Sequence, residues 1–133
     1  ALEEEVRQEL AKRIGEIAKA TAETFRGSVD YEMIWGAPPV VNDADMAALA
    51  ADCAREVVGN DMVIDHIAAP NMGGEDFAYY LMKKPGAFMF LSSANHEKNT
   101  DVPHHNPHFN VDEDVLWEGS AVFVNIVDKF LNK

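Results

Sequence analysis

Three histidines fall within five positions of one polar stretch, the run His104-His105-Asn106-Pro107-His108-Phe109. Neutral imidazole is a common ligand for zinc and related divalent ions, and ligands often sit on loops held by rigid elements. A catalytic zinc takes about three protein ligands plus an open position. Pro107 forbids the helical geometry of HExxH-type sites, so the loop is expected to supply one ligand rather than a whole site. By spacing alone, surface histidines in a flexible loop explain the pattern equally well. A second run, Met72-Gly73-Gly74-Glu75-Asp76-Phe77, sets two glycines ahead of an expected helix. Such a nest lets backbone N–H groups approach a substrate carboxylate. Taken alone, an ordinary helix start, with Glu75 and Asp76 in the first turn, accounts for it better.

The remaining chemically capable residues have plainer readings. Cys53 falls in an apolar helical stripe and reads as a small core residue rather than a nucleophile. Glu3-Glu4-Glu5 and Asp112-Glu113-Asp114 read as solvated faces and helix-start preferences. Trp35 and Trp117 read as packing residues. No Walker loop, GxGxxG or GxSxG occurs, which removes nucleotide-phosphate and serine-hydrolase chemistry from this chain.

The elements that must position these loops follow from periodicity. Leu2, Val6, Leu10, Ile14, Ile17, Thr21 and Phe25 recur at helical spacing, and Gly27 is expected to end that helix. Residues 28–35 alternate loosely and predict a strand, after which Gly36-Ala37-Pro38-Pro39 breaks regular structure. A second helix is expected from Asn42 or Asp43, with Met46, Leu49, Ala50, Cys53 and Val57 buried and Gly59 as its stop. Residues 62–67 and the apolar run 87–91 predict strands, and Glu75 to Met82 a short helix. The last helix is expected to take Asn110 as its cap, with Val115, Gly119, Val122, Phe123, Ile126 and Phe130 on its apolar face. Alternating strands and helices indicate an α/β architecture. The strands are too few for a complete open sheet, so each half reads as part of a domain whose other elements lie elsewhere.

Composition narrows the function classes. With 47% hydrophobic and 26% charged residues the chain has the makings of a core. A formal net charge of −12, from 23 acids against 11 bases, argues against nucleic acid and against an anionic membrane surface. One cysteine and no signal-like or membrane-length apolar run fit a cytoplasmic setting.

Taken in order, MGGEDFAYYL, KKPGAFMFL and PHHNPHFNVDEDVLWEGSAVFV resemble the C-terminal end of the aminoacylase/carboxypeptidase family of metallopeptidases. The similarity is to the amidohydrolase branch with hippurate hydrolases, N-acyl-amino-acid amidohydrolases and auxin-conjugate hydrolases. The resemblance covers essentially the whole chain. It implies that residues 1–37 close a lid or dimerisation domain, and that 38–133 form the C-terminal part of a two-metal exopeptidase-like catalytic domain.

By the same resemblance His105, directly before Asn106-Pro107, is the family's last metal ligand, with His104 and His108 not ligands. Gly73 and Gly74 match the loop that meets the substrate carboxylate. The resemblance further implies two divalent ions (Zn, Mn, Co or Ni), an N-acyl amino acid substrate and a homodimer as the full-length protein. The general-base glutamate and the other ligands have no match here, so they are expected outside this chain, which alone is expected to be inactive. A non-catalytic dimerisation or small-molecule-binding domain that keeps the fold is the competing reading, and it would show no metal requirement.

Overall fold

The structure, a computed structural model, describes residues 1–132; Lys133, the last residue of the expected 38–133 segment, lies outside the described residues. It divides into two compact units, Ala1–Val41 with Ala69–Pro85 and Asn42–Ala68 with Gly86–Lys133.

In the first unit, helix α1 runs Glu4–Thr24. Its end is a Schellman motif: the Gly27 N–H bonds to the Ala22 carbonyl at 2.8 Å and the Arg26 N–H to that of Glu23 at 3.0 Å. The left-handed position belongs to Arg26, at φ 57°, and not to Gly27. The buried residues of α1 are Ala11 and Gly15, not the periodic apolar stripe. Tyr31 explains this. Its hydroxyl donates to the Ala11 carbonyl at 2.8 Å, and its ring lies where a side chain on Gly15 would be, with Cδ1 2.8 Å from an ideal Cβ. Leu2, Val6, Leu10, Ile14 and Ile17 meanwhile remain 46–57% exposed. Arg7 ties the return segment down, placing its guanidinium 4.8 Å from the Trp35 ring centre and donating to the Gly36 carbonyl at 2.7 Å.

In the second unit α2 spans Ala44–Val58 and starts as expected: Asp43 accepts from the N–H groups of Asp45 and Met46, and Gly59, at φ 90°, closes the far end. α2 packs on α4, Leu116–Leu131. The seam holds Ala50, Cys53 and Val122, all buried. It also holds polar bonds, since Asn125 Nδ2 donates to the Cys53 carbonyl at 3.2 Å and to Glu56 Oε2 at 2.9 Å. Glu56 also pairs with Lys129. That partnership, with Asn125 second, holds the Glu56 carboxyl below its ordinary value. Burial raises the Cys53 thiol, consistent with a packing residue.

Among the described residues no strand forms, so the sheet expected from 28–35, 62–67 and 87–91 is not seen. A strand is defined by its ladder, and none of the three segments finds a neighbouring strand to bond with. The run 87–91 shows what takes its place. The Asn42 carboxamide accepts from the Phe88 N–H at 2.8 Å and donates to the Phe88 carbonyl at 3.2 Å, as a paired strand residue would. The Asp43 N–H bonds to the Gly86 carbonyl at 2.9 Å. Leu91 then approaches α4 at Gly119, where its Cδ2 lies 3.2 Å from an ideal Cβ. No helix among the described residues is long and apolar enough to cross a membrane.

Candidate functional site

The stretch 92–112 carries no helix beyond a single 3-10 turn, His96–Lys98, yet it is densely bonded. Asn95 is its centre. The Asn95 N–H donates to Thr100 Oγ1 at 3.0 Å, and the Thr100 N–H returns to the Asn95 carbonyl at 3.0 Å. The Thr100 hydroxyl donates in turn to the Ser93 carbonyl at 2.7 Å. The Asn95 carboxamide accepts from the Glu97 N–H at 3.0 Å and donates to Asp112 Oδ2 at 2.9 Å. Lys98 Nζ reaches the other oxygen of Asp112 at 2.6 Å, and also Asp114.

Thr100 and Asp112 are the buried polar residues of the described chain, 5% and 6% exposed. Burying such groups is costly unless they are bonded, and both are. Lys98, then Asn95, hold the Asp112 carboxyl below its ordinary value, while Asp112, then Asp114, raise the Lys98 ammonium above its own. Asp112, rather than Asn110, caps the last helical segment, accepting from the Asp114 N–H ahead of the 3-10 turn Glu113–Val115 that leads into α4. The correction has a simple cause. A carboxylate already fixed by Lys98 is preorganised to take the first free N–H.

Asn95, Thr100 and Asp112 therefore close the stem of a loop, 101–111, whose tip is the histidine run. The tip is organised from within. Asn106 Oδ1 accepts from the His108 N–H at 2.9 Å, and the Phe109 N–H bonds to the Asn106 carbonyl at 3.0 Å, a β-turn with Pro107 in its favoured second place. His104 packs edge-on against Phe109, with ring centres 4.7 Å apart. His105 is exposed and takes the left-handed conformation, φ 65°. A non-glycine residue held there is unusual, and such conformations gather at functional sites.

Gly73 and Gly74 belong to the first unit and His105 to the second. The Gly73 N–H donates to Asn71 Oδ1 at 2.8 Å, so Asn71 occupies one N–H of the expected nest. Nothing lies within 4 Å of an ideal Cβ on Gly74. The helix that follows is shorter than expected: α3 is Ala78–Leu81, four residues, and Gly73-Gly74 precede it across a turn at Asp76-Phe77. Glu75 turns back to accept from the Phe77 N–H at 3.2 Å, in keeping with a role in shaping the loop.

Among the described residues no three His, Cys, Asp or Glu side chains gather where an ion could be held. His104, His105 and His108 are all exposed, and His104 is the one of the three whose ring packs on Phe109. Sequence reasoning missed the stem, Asn95, Lys98, Thr100 and Asp112. Its signal was present in cap-forming residue types on both sides of the histidines, but pairing between positions 95 and 112 is not periodic.

Residues 3–129 match Peptidase family M20/M25/M40. The chain is 32% identical over 130 residues to N-acetyl-L-cysteine deacetylase of Bacillus subtilis, covering 96% of this chain and 29% of that protein. It is 32% identical over 96 residues to IAA-amino acid hydrolase ILR1-like 2 of Arabidopsis thaliana, covering 72% of this chain and 21% of that one. It is 42% identical over 64 residues to thermostable carboxypeptidase 1 of Saccharolobus solfataricus, covering 48% and 16%. No solved structure matches. The chain is part of a hydrolase family: it belongs to peptidase family M20/M25/M40. It spans less than a third of the length of the curated relatives it matches.

Proposed function

We propose that this chain is the C-terminal portion of a metal-dependent amidohydrolase that cleaves N-acyl amino acids, hippurate-like substrates included, to a carboxylic acid and an amino acid. The observation that carries the reading is the family match across 3–129, together with an exposed, left-handed His105 at the tip of a bonded loop. Relatives named as a deacetylase of N-acetyl-L-cysteine and a hydrolase of IAA-amino acids share the same linkage, an acyl group on an amino acid nitrogen.

In this reading His105 contributes one imidazole to the metal site of a two-metal, peptidase-like catalytic domain of which 38–133 is a part. Residues 1–37 end a lid through which the full-length protein dimerises. Divalent ions bound there would lower the pKa of a water and stabilise the oxyanion. Asn106 and Pro107 form the turn that follows His105, and His104 packs on Phe109. Gly73 and Gly74 bind the substrate carboxylate, and nothing lies within 4 Å of an ideal Cβ on Gly74. The remaining ligands and the general-base glutamate come from outside this chain.

The test is hydrolysis of N-benzoylglycine and of N-acetyl amino acids by the longer protein that carries this chain. Cleavage that chelators abolish and a divalent ion restores is expected. Cleavage indifferent to chelation would overturn the proposal.

A further inference from the structure

We infer that Asp112, acting through Asn95 and Lys98, is a positioning residue for the His105 imidazole; the inference rests on His105 being a metal ligand. The loop 101–111 contributes no buried residue of its own, and its tip is exposed throughout 103–110. Apolar packing therefore does not hold it against the second unit. What fixes both ends is one buried carboxylate. Asp112 Oδ2 takes the Asn95 carboxamide at 2.9 Å and Oδ1 takes Lys98 at 2.6 Å. Asn95 passes the constraint to Thr100, where the loop begins.

The same Oδ1 accepts the Asp114 N–H at 3.1 Å, so the stem is also keyed to the start of α4. A loop closed at a fixed stem has few conformations left to lose, and the tip turn with its His104–Phe109 contact removes most of the rest. His105 thereby arrives at its ligand position already ordered. Losing a group that orients a metal ligand typically costs about 10- to 100-fold in affinity. Lys98 serves here because its ammonium bridges two carboxylates, Asp112 and Asp114, that would otherwise repel at the stem.

The test uses two variants, Asp112→Asn and Lys98→Met, and two readouts. By amide hydrogen exchange in this chain, Asp112→Asn should lower protection at Asn95, Thr100 and His108 by about tenfold, the scale set by losing a charge-assisted bond. Protection at Cys53 and Val122 should stay within about twofold, and Lys98→Met should act in the same direction more weakly. Loss of protection spread evenly over α2 and α4, or none in the loop, would overturn the inference.

By metal titration of the longer protein, Asp112→Asn should weaken binding about tenfold, as outer-shell partners of metal ligands do. His105→Ala is the reference. If His105→Ala leaves binding unchanged, the ligand reading fails, and exchange alone decides whether the stem orders the loop. If His105→Ala abolishes binding while Asp112→Asn leaves it intact, the positioning role falls and the ligand reading stands.

Discussion

The loop 93–112 and helix α1 invert the usual relation between regularity and completion. The loop has almost no regular structure, yet its buried polar atoms are all partnered, and among the described residues no buried side-chain nitrogen or oxygen lacks a hydrogen bond. The helix is regular over Glu4–Thr24, yet its apolar stripe stays about half exposed, as do Phe123 and Val127 of α4. The polar region satisfies itself within a short span of chain; the apolar faces stay open among the described residues. Contiguous exposed apolar surface of this kind marks faces made to be covered. Local hydrogen bonding is thus complete here while hydrophobic burial is not. Stability should depend on a few contact points and very little on the stripe.

That contrast can be broken or sharpened by substitution. Gly15→Leu should destabilise the chain by about 3 kcal/mol in urea unfolding, because Tyr31 already fills the space above it. Val122→Ala, at the buried seam of α2 and α4, should cost about 2 kcal/mol by the same measurement, as transfer plus cavity.

The loop stem should respond to pH instead. The Asp112 carboxyl titrates lower folded than unfolded, so its contribution is in place above about the ordinary 3.8 and is lost as pH falls through the folded value. Lys98 is the converse. Its folded value lies above the ordinary 10.5, so its contribution is in place below that and is lost as pH rises through the folded value. Loop amide protection, corrected for intrinsic exchange, should therefore hold between those limits and fall beyond either. Ile14→Lys, on the exposed stripe, should change stability by under about 0.5 kcal/mol; a loss of 2 kcal/mol or more would show that the stripe is covered and erase the contrast.

What was legible in the sequence divides along the same line. α2 was readable to its cap and stop, because Asp43 and Gly59 act through bonds to their immediate neighbours. The existence of α1 was readable, but its buried face was not, since Tyr31 selects Ala11 and Gly15 through a contact twenty positions away. The strands were read from alternation and apolar runs within single segments, and Met62 of the second one closes a 3-10 turn instead. Extended chain becomes sheet only when a second strand is present.

The histidine loop was singled out for its chemistry, and Pro107 and Asn106 form the turn that such residues favour. Its tether escaped notice because Asp112 looked like one more surface acid in an acidic triplet. A side chain's burial depends on what folds over it, and here that is Asn95 and Lys98 from the far side of the loop.

The central claim is that a single histidine of the loop binds metal while its two neighbours shape the turn. Its most direct test is the metal content of the longer protein after His104→Ala, His105→Ala and His108→Ala, each measured by elemental analysis after equilibration with limiting zinc or manganese. The account predicts that His105→Ala alone loses metal, while His104→Ala and His108→Ala retain it. Retention after His105→Ala, or equal loss in all three variants, would contradict it.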